Sequence, residues 1–167
     1  ILKAHWSTDT AANKAQMTHL LDAHESKAER APSNLRKHFD LIRKTVGMAS
    51  LKDTAERLLA LPTEGDEWLA TAVDTFRRGS PTSAALAWEL QHRCRHRALS
   101  DVFRIEYNVA ISCCAAHDFA EGVRALLIDK DRSPQWDPPT LAAVEQKFIE
   151  SHFRDHHDGA HPLSDWR

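Results

Sequence analysis

His92 and His96 stand four residues apart, the spacing that lets two imidazoles share one metal ion on a helix face. His152, His156, His157 and His161 gather near the C-terminus, in a chain with 11 histidines. A closed zinc site needs two further ligands. Around the first pair stand only Cys94, on another face, and Arg93, Arg95 and Arg97, which repel a cation. The expectation is a solvated basic helix face and a polar tail, with no metal. Cys113 and Cys114 end an apolar segment near His117, but buried cysteines mostly behave as small hydrophobes. No glycine-rich phosphate loop, nucleophile elbow or HExxH motif is present. Glu106 lies between Ile105 and Val109, beside an apolar stripe. It is either a partly exposed glutamate or a buried carboxylate with a partner such as Arg124, because an unpaired buried charge is too costly to keep.

The densest cluster is HDFAEGVRALLIDKDRSPQWDPP, residues 117–139. Asp118 and Glu121 have the spacing of a capping box, in which each side chain serves the other residue's backbone N–H. Gly122 in the first turn costs roughly 1 kcal/mol against alanine, which marks close packing against a neighbour. Phe119, Val123, Leu126 and Leu127 are the expected buried face. Lys130 is placed at the helix C-terminus, where a cation suits the dipole and can also meet a phosphate. Pro134, Trp136 and Pro138 fix an extended exit that can dock an aromatic ring.

The elements that must position these groups are helices. Ser50 with Asp53 and Thr63 with Asp66 have capping spacing, and Ser80-Pro81 puts proline at a first helical position. Ser100 with Asp101 opens another helix, and Asp137-Pro138-Pro139 the last. Trp68, Leu69, Ala72, Val73 and Phe76 form one helical stripe. Val102, Ile105, Val109 and Cys113 form a second, and Leu141, Val144 and Phe148 a third. A helix is expected from about Ala11 to Glu29, closed by Pro32. Strand-like alternation is almost absent and no repeat is visible. The fold class is all-α, with roughly seven or eight short helices and a loose tail over residues 155–167.

Composition bounds the rest. The 167 residues are 42% hydrophobic and 28% charged, the make-up of a single soluble domain that buries roughly 68–70% of its unfolded surface. A net charge of −2 with scattered basic residues leaves no electrostatic footprint for nucleic acid. No apolar run approaches the roughly 20 residues that span a bilayer. Three cysteines argue against a secreted disulfide framework and for a reducing compartment. The chain begins Ile-Leu-Lys with no signal or transit segment, and reads as a processed or truncated piece of something longer.

DFAEGVRALLIDKDRSPQW resembles the C-terminal signature of the 3-hydroxyisobutyryl-CoA hydrolases, the thioesterase branch of the enoyl-CoA hydratase/isomerase (crotonase) superfamily. Asp118, Glu121, Gly122, Lys130, Pro134 and Trp136 match it in order. SPTSAALAWELQ (80–91) and IEYNVA (105–110), which carries Glu106, are similar to upstream segments of that branch. SLKDTAERL (50–58) and LLDAHES (20–26) match more weakly. The resemblance covers residues 20–154, leaving 1–19 unplaced and 155–167 as the tail.

It implies the C-terminal helical part of a thioester hydrolase whose β/α spiral core, with its oxyanion hole and catalytic carboxylates, is missing from this chain. No catalytic residue is therefore carried over, since an oxyanion hole needs preorganised donors about 3 Å from the developing charge. By the same resemblance this part packs on the core and borders an acyl-CoA pocket. The substrate is 3-hydroxyisobutyryl-CoA in valine breakdown, the compartment the mitochondrial matrix, and CoA enters only as part of the substrate, with no other cofactor. Lys130 is a CoA-phosphate contact or a solvated helix-end lysine, and a homo-oligomer is open. Glu106, Asp118, Glu121 and Gly122 are structural. The alternatives are a non-catalytic structural homologue, such as a mitochondrial ribosomal subunit using the basic 92–97 segment, or a related enoyl-CoA hydratase/isomerase. An independent helical metal-binding module lacks a complete ligand set.

Overall fold

The computed structural model describes residues 6–24, 32–47 and 50–165. Among them are nine α-helices and no strand, so the chain is all-α. It divides into two compact units, Ile1–Lys37 and His38–Arg167.

In the first unit, α1 (Thr10–Ala23) is capped by Asp9, whose carboxylate accepts from the backbone N–H of Ala11 and Ala12 at 2.9 and 3.2 Å. No α1 residue is buried. The helix stops at Ala23, and most of its expected continuation to Glu29 lies outside the described residues. The short α2 (Asn34–Lys37) ends this unit.

The second unit runs through α3 (Phe39–Val46), α4 (Leu51–Leu59), α5 (Glu67–Arg78), α6 (Pro81–Cys94) and α7 (Leu99–Ala115). It continues with α8 (His117–Val123), a π-helical turn (Arg124–Ile128), a 3-10 turn (Leu141–Ala143) and α9 (Gln146–Ser151). Its starts follow the expected chemistry in part. Ser50 Oγ accepts from Asp53 N and Ser80 Oγ from Ser83 N, with Pro81 at the first helical position. The Thr63 start is corrected: the cap of α5 is Asp66, which accepts from Leu69 N at 3.1 Å. Thr63 instead closes a turn, its carbonyl accepting from Asp66 N, and Gly65 supplies the φ of 77° within that turn. Helix α7 starts at Leu99 from an uncapped Ala98, so Ser100 lies inside it.

Asp137-Pro138-Pro139 does not open a helix either. Two prolines remove two amide donors and the Asp137 amide is used elsewhere. The chain therefore turns through Leu141–Ala143 before α9 begins after Glu145. Consequently the third stripe is split: Leu141 and Val144 pack on the core, Phe148 stays exposed, and Ile149 is the buried residue.

The core cluster is Ala85 and Leu86 of α6, Val109 of α7 and Ile149 of α9, with Leu51, Leu90, Cys113 and Phe153 packed around it. At the other end His38 lies 3.0 Å from Asp66 Oδ2 and stacks on Trp68 with 2° between the planes. The tail expected to be loose lies along α7 over its described part. Arg104 donates to the carbonyls of Leu163 and Ser164, Ser112 Oγ is 2.6 Å from His156 Nε2, and Tyr107 packs against the rings of His157 and His161.

Candidate functional site: the 117–137 loop

The signature residues converge, but on partners that sequence spacing did not give. Helix α8 begins directly after an extended Ala116, with no side-chain cap, so Asp118 is already inside it and no reciprocal box forms. Its carboxylate bridges two distant segments instead. Oδ2 accepts from Ser80 Oγ at the start of α6, and Oδ1 accepts from Asp137 N at 2.9 Å. Ser80 thus caps α6 with one lone pair and ties it to α8 with its proton.

Glu121 holds the other side of the loop. Arg124 Nε and Nη2 donate to its two oxygens at 2.8 and 2.7 Å, and Gln135 N donates to Oε1 at 2.7 Å. The Arg124 guanidinium first, and the Gln135 amide second, hold the Glu121 carboxyl at about 2, against an ordinary 4.5. Arg124 also donates to Asp129 at 2.7 Å, Asp131 at 2.6 Å and the Ser133 carbonyl at 3.3 Å. A guanidinium has five N–H donors, and all five are engaged here. The same bond lowers the Asp131 carboxyl below its usual range, helped by the Ser133 amide. Arg124 was a candidate partner for Glu106; the structure gives it to Glu121, and Glu106 is exposed on α7. The signal for this hub was present as Glu121 three residues before Arg124, with Asp129 and Asp131 just beyond it.

Trp136 locks the loop to α5. Its Nε1 donates to the Arg78 carbonyl at 2.8 Å. Its ring lies over Gly122, where an added Cβ would meet Cη2 and Cζ3 at 3.5 and 3.7 Å. The neighbour expected at Gly122 is therefore this indole, at ordinary van der Waals distance. His117 Nε2 lies 2.9 Å from the Gln135 carbonyl, which occupies it away from the cysteines, and Pro134 is half-buried between these anchors.

Two further expectations are corrected. Phe119, Leu126 and Leu127 are not a buried face: they are 53%, 60% and 68% exposed, with Ile128 beside them at 69%, while Ala125 is fully buried. After Arg124 the chain widens by one residue per turn, Asp129 N donating to Arg124 O at 2.8 Å. That shift moves the apolar residues off the phase of a regular helix. Lys130 is not at a helix C-terminus but beyond the π turn, at φ 58°, with Arg132 at 55°. Both are exposed.

The other chemical candidates separate. His92 Nδ1 lies 2.8 Å from the Trp88 carbonyl, and α6 ends at Cys94, so His96 has left the helix. No group of three or more metal-capable side chains occurs among the described residues. Burial, then Cys114, pushes the Cys113 thiol up, and burial, then Glu106, raises Cys94; both shifts oppose thiolate chemistry. What the loop can do is hold α5, α6 and α8 in register and present Lys130 and an apolar face outward.

A profile of the enoyl-CoA hydratase/isomerase family matches residues 2–153, which takes in the segment before residue 20. The chain is similar to the 3-hydroxyisobutyryl-CoA hydrolase, mitochondrial, of Danio rerio, with 32% identity over 142 residues, covering 83% of this chain and 36% of the relative. The Homo sapiens protein of that name is 32% identical over 131 residues, covering 78% and 33%. An enoyl-CoA hydratase structure from Rhodobacter sphaeroides 2.4.1 superposes with a TM-score of 0.65 at 27% identity, covering 86% of this chain and 42% of that one. A carnitinyl-CoA dehydratase structure from Mycobacterium thermoresistibile gives 0.67 at 27%, covering 87% and 40%. The chain spans about a third of the length of the curated relatives it matches.

Proposed function

The chain belongs to the enoyl-CoA hydratase/isomerase family, and from that membership we infer that its whole protein hydrolyses 3-hydroxyisobutyryl-CoA to 3-hydroxyisobutyrate and CoA, a step of valine breakdown in the mitochondrial matrix. The observation that carries this reading is the 32% identity to a hydrolase of that name over 83% of the chain. The signature loop of residues 118–136 lies within the matched span. The oxyanion hole and the carboxylates of the reaction belong to a β/α core beyond this chain, and CoA is bound as part of the substrate with no separate cofactor.

This helical part packs on that core. The exposure of four large apolar side chains, Phe119, Leu126, Leu127 and Ile128, within ten residues supports the reading, because large apolar surface left in the open is normally covered by a partner. Lys130 meets a phosphate of CoA. Its ammonium is exposed and makes no hydrogen bond or ion pair among the described residues, while the neighbouring acids are drawn inward to Arg124. As a point charge on a flexible stem it supplies attraction rather than a bidentate fit.

The test is release of free thiol from 3-hydroxyisobutyryl-CoA by the protein carrying both core and helical part. Turnover is expected; a protein that hydrates enoyl-CoA instead, or releases no CoA, overturns the reading. Lys130→Ala is expected to raise KM about two- to fivefold with kcat unchanged. Exposed Arg95, His96 and Arg97 favour one second reading, a non-catalytic subunit of a large assembly such as a mitochondrial ribosome. Co-sedimentation of an inactive protein with that assembly would select it.

A further inference from the structure

The segment Asp129-Lys130-Asp131-Arg132 alternates acid and base, and the fold sorts the two signs. Arg124 Nη1 donates to Asp129 Oδ2 at 2.7 Å and to Asp131 Oδ2 at 2.6 Å. Lys130 and Arg132 are exposed, and neither side chain makes a hydrogen bond or ion pair among the described residues. Left to themselves, the two acids would pair with the cations beside them. Instead an arginine five and seven positions upstream takes both.

The backbone shows how the sorting is achieved. Lys130 at φ 58° and Arg132 at φ 55° are left-handed, while Asp131 between them is not. That conformation is costly for a residue with a Cβ and persists only where its surroundings enforce it. Arg132 N donates to the Ala125 carbonyl at 3.0 Å, and Ser133 N to Asp131 Oδ1 at 2.8 Å. The two reversals let both acids reach Arg124 and leave both cations in solvent. Arg124 is itself spent on three carboxylates, Glu121 included, so the unpaired positive charge of this segment is Lys130 and Arg132. Their α-carbons are two residues apart and therefore within about 7.6 Å of each other, a span that two long side chains close around one group.

We propose that Lys130 and Arg132 form one two-pronged site for a doubly charged phosphate group of CoA, with Arg124 as its positioning residue, holding Asp129 and Asp131 away from the two cations. The site rests on the reading that Lys130 meets a phosphate of CoA and extends it. Arg132 supplies the forked donors that a lysine lacks.

The test titrates pyrophosphate at low salt into the full chain with its arginines labelled by nitrogen-15. Saturable binding that shifts the Arg132 Nε resonance is expected. Lys130→Gln and Arg132→Gln should each weaken it about two- to fivefold, and together about four- to twenty-fivefold, the worth of one and two exposed charges. Arg124→Gln frees both acids and should weaken binding as far as that double variant. Adding Asp129→Asn and Asp131→Asn to Arg124→Gln should restore it, a recovery that a merely structural role for Arg124 does not give. Dephospho-CoA keeps only the diphosphate and adenosine 3′-phosphate only the monoester, so whichever competes identifies the phosphate. No saturable binding, unchanged affinity in Arg132→Gln, no recovery in the triple variant, or competition by neither compound overturns the proposal. Lys130 and Arg132 carry no contact of the fold, so their variants are decisive even where an Arg124 variant unfolds. The readout is binding: a whole protein that releases no CoA overturns the proposed reaction and leaves this site in place.

Discussion

Replacing Gly122 with alanine is expected to leave the protein at least as stable as it is, although glycine holds this position in the matched signature. Gly122 lies inside α8 at an ordinary helical φ, so it needs no left-handed freedom. Alanine gains about 0.5–1 kcal/mol from the smaller loss of backbone freedom on folding. The added methyl meets the Trp136 ring at 3.5 and 3.7 Å, which is attraction rather than collision and adds about 0.1–0.2 kcal/mol per contact. The sum is a gain of about 0.5–1 kcal/mol. Leucine extends beyond Cβ into the indole, and Gly122→Leu is expected to cost about 1–3 kcal/mol by overpacking. The assay is urea unfolding followed by tryptophan fluorescence, comparing midpoints at constant slope. A loss of more than about 1 kcal/mol in Gly122→Ala would refute the reasoning. The ring would then sit closer than 3.5 Å, and the glycine would be a steric requirement.

Three other perturbations separate the anchors of the loop. Trp136→Phe removes both the donor to the Arg78 carbonyl and the far edge of the indole that lies over Gly122; the loss should be about 1–3 kcal/mol in the same urea assay, and no change would mean that neither contact holds the loop. Ser80→Ala removes the cap on Ser83 N and the donor to Asp118 together, and is expected to cost about 1–2 kcal/mol; a loss of a few tenths would show that neither bond matters. Glu121 titrates lower in the folded state, at about 2 against an ordinary 4.5. Its contribution is therefore fully present above pH 4.5 and lost as pH falls towards 2. Glu121→Gln should flatten the decline of stability across that window, read from urea midpoints at pH 5, 4 and 3, and an unchanged slope would place the acid sensitivity elsewhere.

Much of the fold was legible because helix starts are written locally. Ser50, Ser80 and Pro81 act within three residues of themselves, and each does what its spacing says. The misplacements have physical causes. A carboxylate near a helix start has several donors in reach, and Asp118 and Glu121 serve a serine hydroxyl, a guanidinium and two loop amides rather than each other. The π turn at Arg124 shifts the phase of an apolar run whose regular period predicts burial. Tyr107 and Arg104 hold a tail that has no period of its own.

By itself the sequence determined an all-α chain and, through the order of Asp118, Glu121, Gly122, Lys130, Pro134 and Trp136, its family. Both follow from information that is local or sequential: caps act over one turn, and a signature is an order of residue types. Tertiary structure decided what those residues do. The Ser80–Asp118 bond spans 38 positions and the Trp136–Arg78 bond 58, distances over which spacing carries no geometry. Only the packing of α5, α6 and α8 brings these donors within hydrogen-bond reach. The same packing turns Asp129 and Asp131 onto Arg124 and leaves Lys130 in solvent.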